Sequence, residues 1–125
     1  MTRDAPALRT FHGRRHGKAL KPNQRRWLEE DLPRLALGGV GPEENPERRP
    51  LDLAARFGAR PVWLEIGFGG GEHMAYQAAA HPEVALIGCE PFVNGVAMAL
   101  GKLQGSGPES VAIHPGDARD LMDVL

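Results

Sequence analysis

The segment Leu64-Glu65-Ile66-Gly67-Phe68-Gly69-Gly70-Gly71-Glu72-His73 constrains this chain more than any other part of it. Its glycines directly follow the apolar run Pro61–Ile66, which reads as a buried strand. The Ala-rich stretch after it, Gly71–Ala80 (GEHMAYQAAA), favours helix. Glycine lets the backbone turn sharply, adopt positive φ and pass close to a ligand. In a doubly wound sheet such a loop lies at the carboxyl ends of the strands, where ligands bind. The same alternation continues downstream. Val84–Cys89 reads as a second buried strand and Asn94–Leu103 as a second helix. Ser110–His114 reads as a third strand, and a third helix starts at Asp117. The expected fold class is therefore α/β, with parallel strands and right-handed crossovers.

The upstream part is organised differently. Residues 1–20 look irregular, and apolar positions at Trp27, Leu28, Leu32, Leu35 and Leu37 predict a helix that Pro33 must cap or kink. Residues 38–50 (GGVGPEENPERRP) have the composition of a linker. Leu51–Phe57 is short enough to be a helical turn or to pack against the following strand. We expect residues 1–50 to form a basic arm, helix and linker, and residues 51–125 to carry the glycine loop. The 125 residues, 42% hydrophobic, allow a single small core. No apolar run approaches the ~20 residues that cross a bilayer. Met1–Lys21 lacks the apolar centre of a secretory signal. One cysteine, Cys89, forms neither an internal disulfide nor a Cys-rich zinc site, so a reducing cytoplasm and no metal are expected.

The formal net charge of −1 conceals an asymmetry. Residues 1–35 carry nine Lys or Arg against four acids, and the remainder carries six against twelve. A solvated terminus accounts for this on charge alone. Equally, Arg9, Arg14, Arg15 and Lys18 supply the cations that neutralise nucleic-acid phosphates. Phe11, His12 and His16 lie among them and could stack on bases, a weak platform by themselves.

The spacing of the glycine loop narrows its ligand. A dinucleotide fingerprint, G-x-G-x-x-G/A, would need a small residue at position 72, where Glu72 stands. The pattern is instead E-x-G-x-G-x-G through Glu65, Gly67, Gly69 and Gly71. A carboxylate at the strand end opposes phosphate and suits an ammonium or sulfonium, both of which S-adenosylmethionine has. A second acid, Glu90, closes the next strand and is placed to accept from ribose hydroxyls. A third, Asp117, follows the third strand and could accept from the adenine amine, although Asp is equally a favoured N-cap. His73 lines the loop or simply faces solvent. Cys89 is most simply a small core residue, and Trp63 and Phe92 are read as packing. His114 ends its strand towards solvent.

These residues resemble the class I methyltransferases and, within them, the bacterial tRNA (guanine-N7)-methyltransferase family. The likeness is carried by LEIGFGGGEH (64–73), GCEPFVNGV (88–96), HPGDARDL (114–121) and the basic run from Arg9 to Gly17. It implies a Rossmann-like sheet and S-adenosylmethionine as cofactor, held by Glu65, Gly67, Gly69, Gly71, Glu90, Pro91, Phe92, Asp117 and Ala118. It implies tRNA as partner, reached through the basic arm, and attack by guanine N7 on the sulfonium methyl carbon. A monomer is expected for the full-length protein. The family's Asp-Pro-Trp-Pro motif follows a fourth strand and does not occur here, so no catalytic residue is assigned. The implied strand order puts the first strand beside that fourth one. The chain is therefore expected to be an N-terminal portion, inactive alone, with Val62–Ile66 as an open edge. Two other readings stay open: a class I methyltransferase with another substrate, and a non-catalytic module that binds the cofactor or RNA.

Overall fold

The computed structural model describes residues 17–125. The basic residues Arg9, Arg14 and Arg15, with Phe11, His12 and His16, lie outside the described residues. The elements run α1 (Pro22–Glu30), α2 (Leu32–Leu35), α3 (Leu53–Phe57), β1 (Val62–Ile66), α4 (Glu72–Ala80), β2 (Ala85–Cys89), α5 (Val93–Lys102), β3 (Val111–His114) and α6 (Ala118–Met122). The three strands form one parallel sheet in the order β1-β2-β3. This is the α/β architecture with parallel strands that the sequence predicts. No helix among the described residues is long and apolar enough to cross a membrane.

Two apolar clusters sandwich the sheet. On one face Phe68, Met74, Leu86, Val96, Leu100 and Ile113 pack together, with Trp27 and Leu28 of α1 against them. On the other face Val40, Phe57, Ile87, Cys89, Leu121 and Val124 form the second cluster. Trp27 lies so close to α5 that a Cβ on Gly101 would come within 2.5 Å of its ring. The helix predicted across Pro33 is in fact two. Pro33 has no N–H to donate. Accordingly α1 closes with the Asp31 N–H to Trp27 carbonyl bond (2.8 Å), and α2 starts after it.

Two sequence expectations are corrected. As a short apolar run stopped by glycine, the first strand reads as buried. Yet Trp63, Leu64 and Ile66 of β1 are exposed by 41%, 36% and 53%, while all of β2 is buried. β1 pairs only with β2 among the described residues, so one of its sides is an edge, as the implied strand order suggested. Trp63 accordingly packs only in part, its ring edge-on to His81 at 4.9 Å. The second correction concerns residues 38–50, which have a linker's composition but are tied to the core. Val40 is fully buried, and the Asn45 side-chain amide donates to the Gly39 and Arg49 carbonyls at 2.9 Å each. The Arg48 guanidinium, on a residue with φ 54°, donates to the carbonyls of Val40 and Asp120.

Candidate cofactor site

The parallel register sets the three strand ends in a row, with Ile66 beside Cys89 and Cys89 beside His114. Two bonds extend the ladder beyond the strands: Gly67 N–H to the Cys89 carbonyl (2.7 Å) and Glu90 N–H to the His114 carbonyl (3.1 Å). Glu65, Glu90 and Asp117 are thereby brought to one end of the sheet.

Between β1 and α4 the loop takes a path that only glycine follows without strain. Gly67, Gly69 and Gly71 have φ of 73°, 59° and 86°. At Gly71 a Cβ would lie 2.5 Å from the Ala99 Cβ, so this glycine also sets how closely α4 approaches α5. Gly67 and Gly69 differ from it, since a Cβ on either would meet nothing within 4 Å. The loop thus has one face against α5 and one open face.

Glu90 fastens this loop to the second strand end. It is only 8% exposed; its Oε1 accepts the Gly69 N–H at 2.7 Å and its Oε2 the Phe92 N–H at 3.0 Å. Hydrogen bonds to an ionised acceptor are about twice as strong as neutral ones, so a single carboxylate organises both turns. Lys102, at the end of α5, holds the loop from the other side. Its Nζ donates to the Gly70 carbonyl at 2.6 Å and pairs with Glu72 at 3.2 Å. A backbone hydrogen bond at Glu72 itself and the Lys102 ammonium lower the Glu72 pKa.

The two outer acids have side-chain partners. Glu65 Oε1 lies 2.7 Å from His73 Nδ1. Asp117 caps α6 by accepting the Arg119 N–H (2.7 Å), and the Arg119 guanidinium donates to its Oδ2 (2.6 Å). That ion pair raises the Arg119 pKa. The arrangement presents carboxylate acceptors at the strand ends, which suits a ligand with hydroxyls and a positive group. Burial, with Asp117 and Glu90 nearby, pushes the Cys89 thiol up to about 12. It is therefore no nucleophile at neutral pH. No group of three or more His, Cys, Asp or Glu among the described residues could hold a metal ion.

A family model described as "Putative methyltransferase" matches residues 59–125, more than half of the chain and the whole stretch that carries these features. The chain belongs to this methyltransferase family. Over 122 residues it is 66% identical to a tRNA (guanine-N(7)-)-methyltransferase of Cereibacter sphaeroides, covering 98% of this chain and 51% of the relative. A protein of the same name from Roseobacter denitrificans is 58% identical over 125 residues, 100% of this chain and 54% of its own length. The chain spans about half the length of the curated relatives it matches.

Within this methyltransferase sheet, the anticipated residues Glu65, Gly67, Gly69, Gly71, Glu90, Pro91 and Phe92 surround one loop. Asp117 and Ala118 stand one strand further along, with the Asp117 carboxylate engaged by Arg119. Lys18 is exposed, and its carbonyl accepts from the Asn94 amide at 2.7 Å, which brings the end of the basic arm beside Phe92. A Cβ on Gly17 would come within 2.9 Å of the Phe92 ring. Two contributors, Lys102 and Gln77, escaped the sequence reading, and Gly95 does more than shape the turn into the second helix. Lys102 is a lone cation at a helix end, with no spacing that points to the loop. Gly95 lies in the first turn of α5, where a Cβ would collide with the Gly69 carbonyl oxygen. Gln77 meets His73 one helical turn on (3.2 Å). Only Gly95 had a signal, as a glycine placed early in a predicted helix. His114, expected to face solvent, has its Nε2 enclosed without a hydrogen-bond partner.

Proposed function

We propose that this chain is the S-adenosylmethionine-binding part of a tRNA (guanine-N7)-methyltransferase. The observation that carries the reading is the glycine loop pinned by Glu90 while its Gly67–Gly69 face stays open, in a chain 66% identical to a relative with that name. Residues 51–125 carry the cofactor half, and residues 1–50 carry the arm and the segment that joins it. A Cβ at Gly67 or Gly69 would fill open space, which is the form expected of a cradle for a close-lying ligand. The donor chemistry fits S-adenosylmethionine: Glu90 has remaining lone pairs for ribose hydroxyls, and Glu65 stands at the strand end that suits the ammonium. When bound, the cofactor supplies an electrophilic methyl group.

The chain's own residues bind and orient. Glu90 and Lys102 hold the loop before any ligand arrives, so little ordering cost falls on binding. Guanine N7 is already nucleophilic, so placement of the two reactants counts for more than proton transfer. Lys18, beside the cofactor loop, and the basic residues Arg9, Arg14 and Arg15 of the same arm supply phosphate contacts for tRNA. A tRNA substrate implies the cytoplasm as the compartment.

The test uses the full-length protein with unmodified tRNA and methyl-labelled cofactor. The expected result is label on a guanine N7; label on protein or a small molecule instead would refute the tRNA reading. In the same protein, Glu90→Ala should weaken cofactor binding by about tenfold or more, since a charged acceptor of two N–H groups is lost. Unchanged affinity would remove Glu90 from the site.

A further inference from the structure

The contact between Glu65 and His73 has a direction that the hydrogen-bond chemistry fixes. A carboxylate has no proton to give, so the His73 Nδ1–H must be the donor. It reaches Glu65 Oε1 at 2.7 Å. Nε2 of the neutral imidazole is then an acceptor. The Gln77 side-chain amide nitrogen lies 3.2 Å from it, one turn along α4. Reversing the Gln77 amide would set an oxygen against the Nε2 lone pair. Gln77 is held in its orientation although its Oε1 is enclosed with no partner. A single relay thus runs Gln77 to His73 to Glu65, from α4 to the end of β1. These three residues, with Trp63, Met74 and Leu86, line a cavity of about 130 Å³. Among the described residues, the Glu65 carboxylate has no partner other than His73.

We propose that His73 is a positioning residue for Glu65: held in one tautomer by Gln77, it fixes one carboxylate oxygen and leaves the other to accept the α-ammonium of the cofactor. This rests on the reading of Glu65 as the ammonium acceptor. His73 touches no reacting atom and acts only through Glu65. Its side chain is 66% exposed, so replacing it leaves the core intact.

Two ligands isolate the effect. S-adenosylhomocysteine carries the ammonium, whereas 5′-methylthioadenosine keeps the nucleoside and thioether but lacks the amino-acid end. Binding of each to the full-length protein is measured by calorimetry. His73→Ala should weaken S-adenosylhomocysteine by about five- to tenfold, the usual size of one charge-assisted bond, and leave methylthioadenosine within about twofold. His73→Asn, which keeps an N–H near the Nδ1 position, should restore most of the loss. Gln77→Leu should give a smaller loss confined to S-adenosylhomocysteine. Equal weakening of both ligands by His73→Ala, or no weakening of either, overturns the proposal. Glu65→Gln separates the two levels. If it selectively weakens S-adenosylhomocysteine while His73→Ala does not, the ammonium reading stands and the positioning role falls. If Glu65→Gln has no selective effect, the ammonium reading itself fails.

Discussion

The two outer strands of the sheet have opposite surroundings. Along β3, Ala36 forms a parallel bridge with Ile113, and the Leu37 N–H donates to the Ile113 carbonyl at 3.0 Å. Leu35, Leu37 and Val40 from the preceding segment are buried in the clusters behind it. The Arg56 guanidinium closes this side by donating to the carbonyls of Leu35, Ala36, Pro108 and Val111. Along β1 no described segment does the same, and Trp63, Leu64 and Ile66 meet solvent. An apolar sheet edge is a template for further pairing unless it is covered, charged or kinked. Among the described residues, the segment before α3 covers one edge and the other is open.

The largest expected effect comes from making one substitution on each side of this contrast. Ile87 of β2 is fully buried beneath α3 and α6, whereas Ile66 of β1 is half exposed. Ile87→Ala should cost about 3 kcal/mol in urea denaturation of the 125-residue chain. Ile66→Ala should cost less than about 1 kcal/mol. Equal costs would mean that the β1 edge is covered in solution. Ile66→Lys should additionally reduce self-association in sedimentation, because an inward or edge charge blocks strand-to-strand pairing.

Strand composition alone does not reveal this contrast; the strand order implied by the family resemblance does, because it leaves β1 at an edge. VWLEI and ALIGC both read as short apolar runs, and strand composition reports β propensity without stating who the neighbours are. What was legible were the three β-α units, because apolar runs ended by glycine and followed by helix formers are local signals. The tie between residues 38–50 and the core was illegible for a related reason. Asn45 and Arg48 act through side-chain bonds to backbone carbonyls, which leave no periodicity behind them. At the site, the glycines and the acid of each strand end were legible from spacing. Lys102 was not, because its partner lies 32 residues away, and Gln77 was not, because a His and a Gln four residues apart on a helix look the same as any exposed polar face. Asp117 carried two readings from the start. Its capping role is the one its hydrogen bonds fill.

Arg56 tests the covered edge directly. It bonds to carbonyls from three separate segments, and partial burial lowers its pKa. Arg56→Ala should destabilise the chain by about 2 kcal/mol, through carbonyls left without donors. Arg56→Lys should recover only part of this, since an ammonium cannot reproduce the planar fork. Both are read from the denaturation midpoint at constant slope. A neutral result for Arg56→Ala would mean that water replaces the guanidinium at no cost and that the edge is less closed than its hydrogen bonds imply.

The covered edge also carries a pH dependence. His114 ends β3, and burial lowers its pKa from 6.5, against the raising effects of a hydrogen bond to the Asp117 backbone and of Asp120, Asp117 and Glu44. Its Nε2 is enclosed without an acceptor among the described residues, and a Cβ on Gly116 would come within 2.9 Å of it, so a proton added there finds no partner among them. The unfolded chain therefore binds this proton at higher pH than the folded one. Stability should be unaffected by His114 above about pH 6.5 and should fall as the pH drops through that value, until the folded state also takes up the proton. The slope from one such group cannot exceed about 1.4 kcal/mol per pH unit. Unfolding free energies of the native chain and His114→Gln, compared between pH 7.5 and 5, isolate the contribution, because the carboxylates titrate in both. The His114→Gln chain should show the flatter curve; parallel curves would mean that His114 reaches solvent and that the sheet end above it is as open as β1.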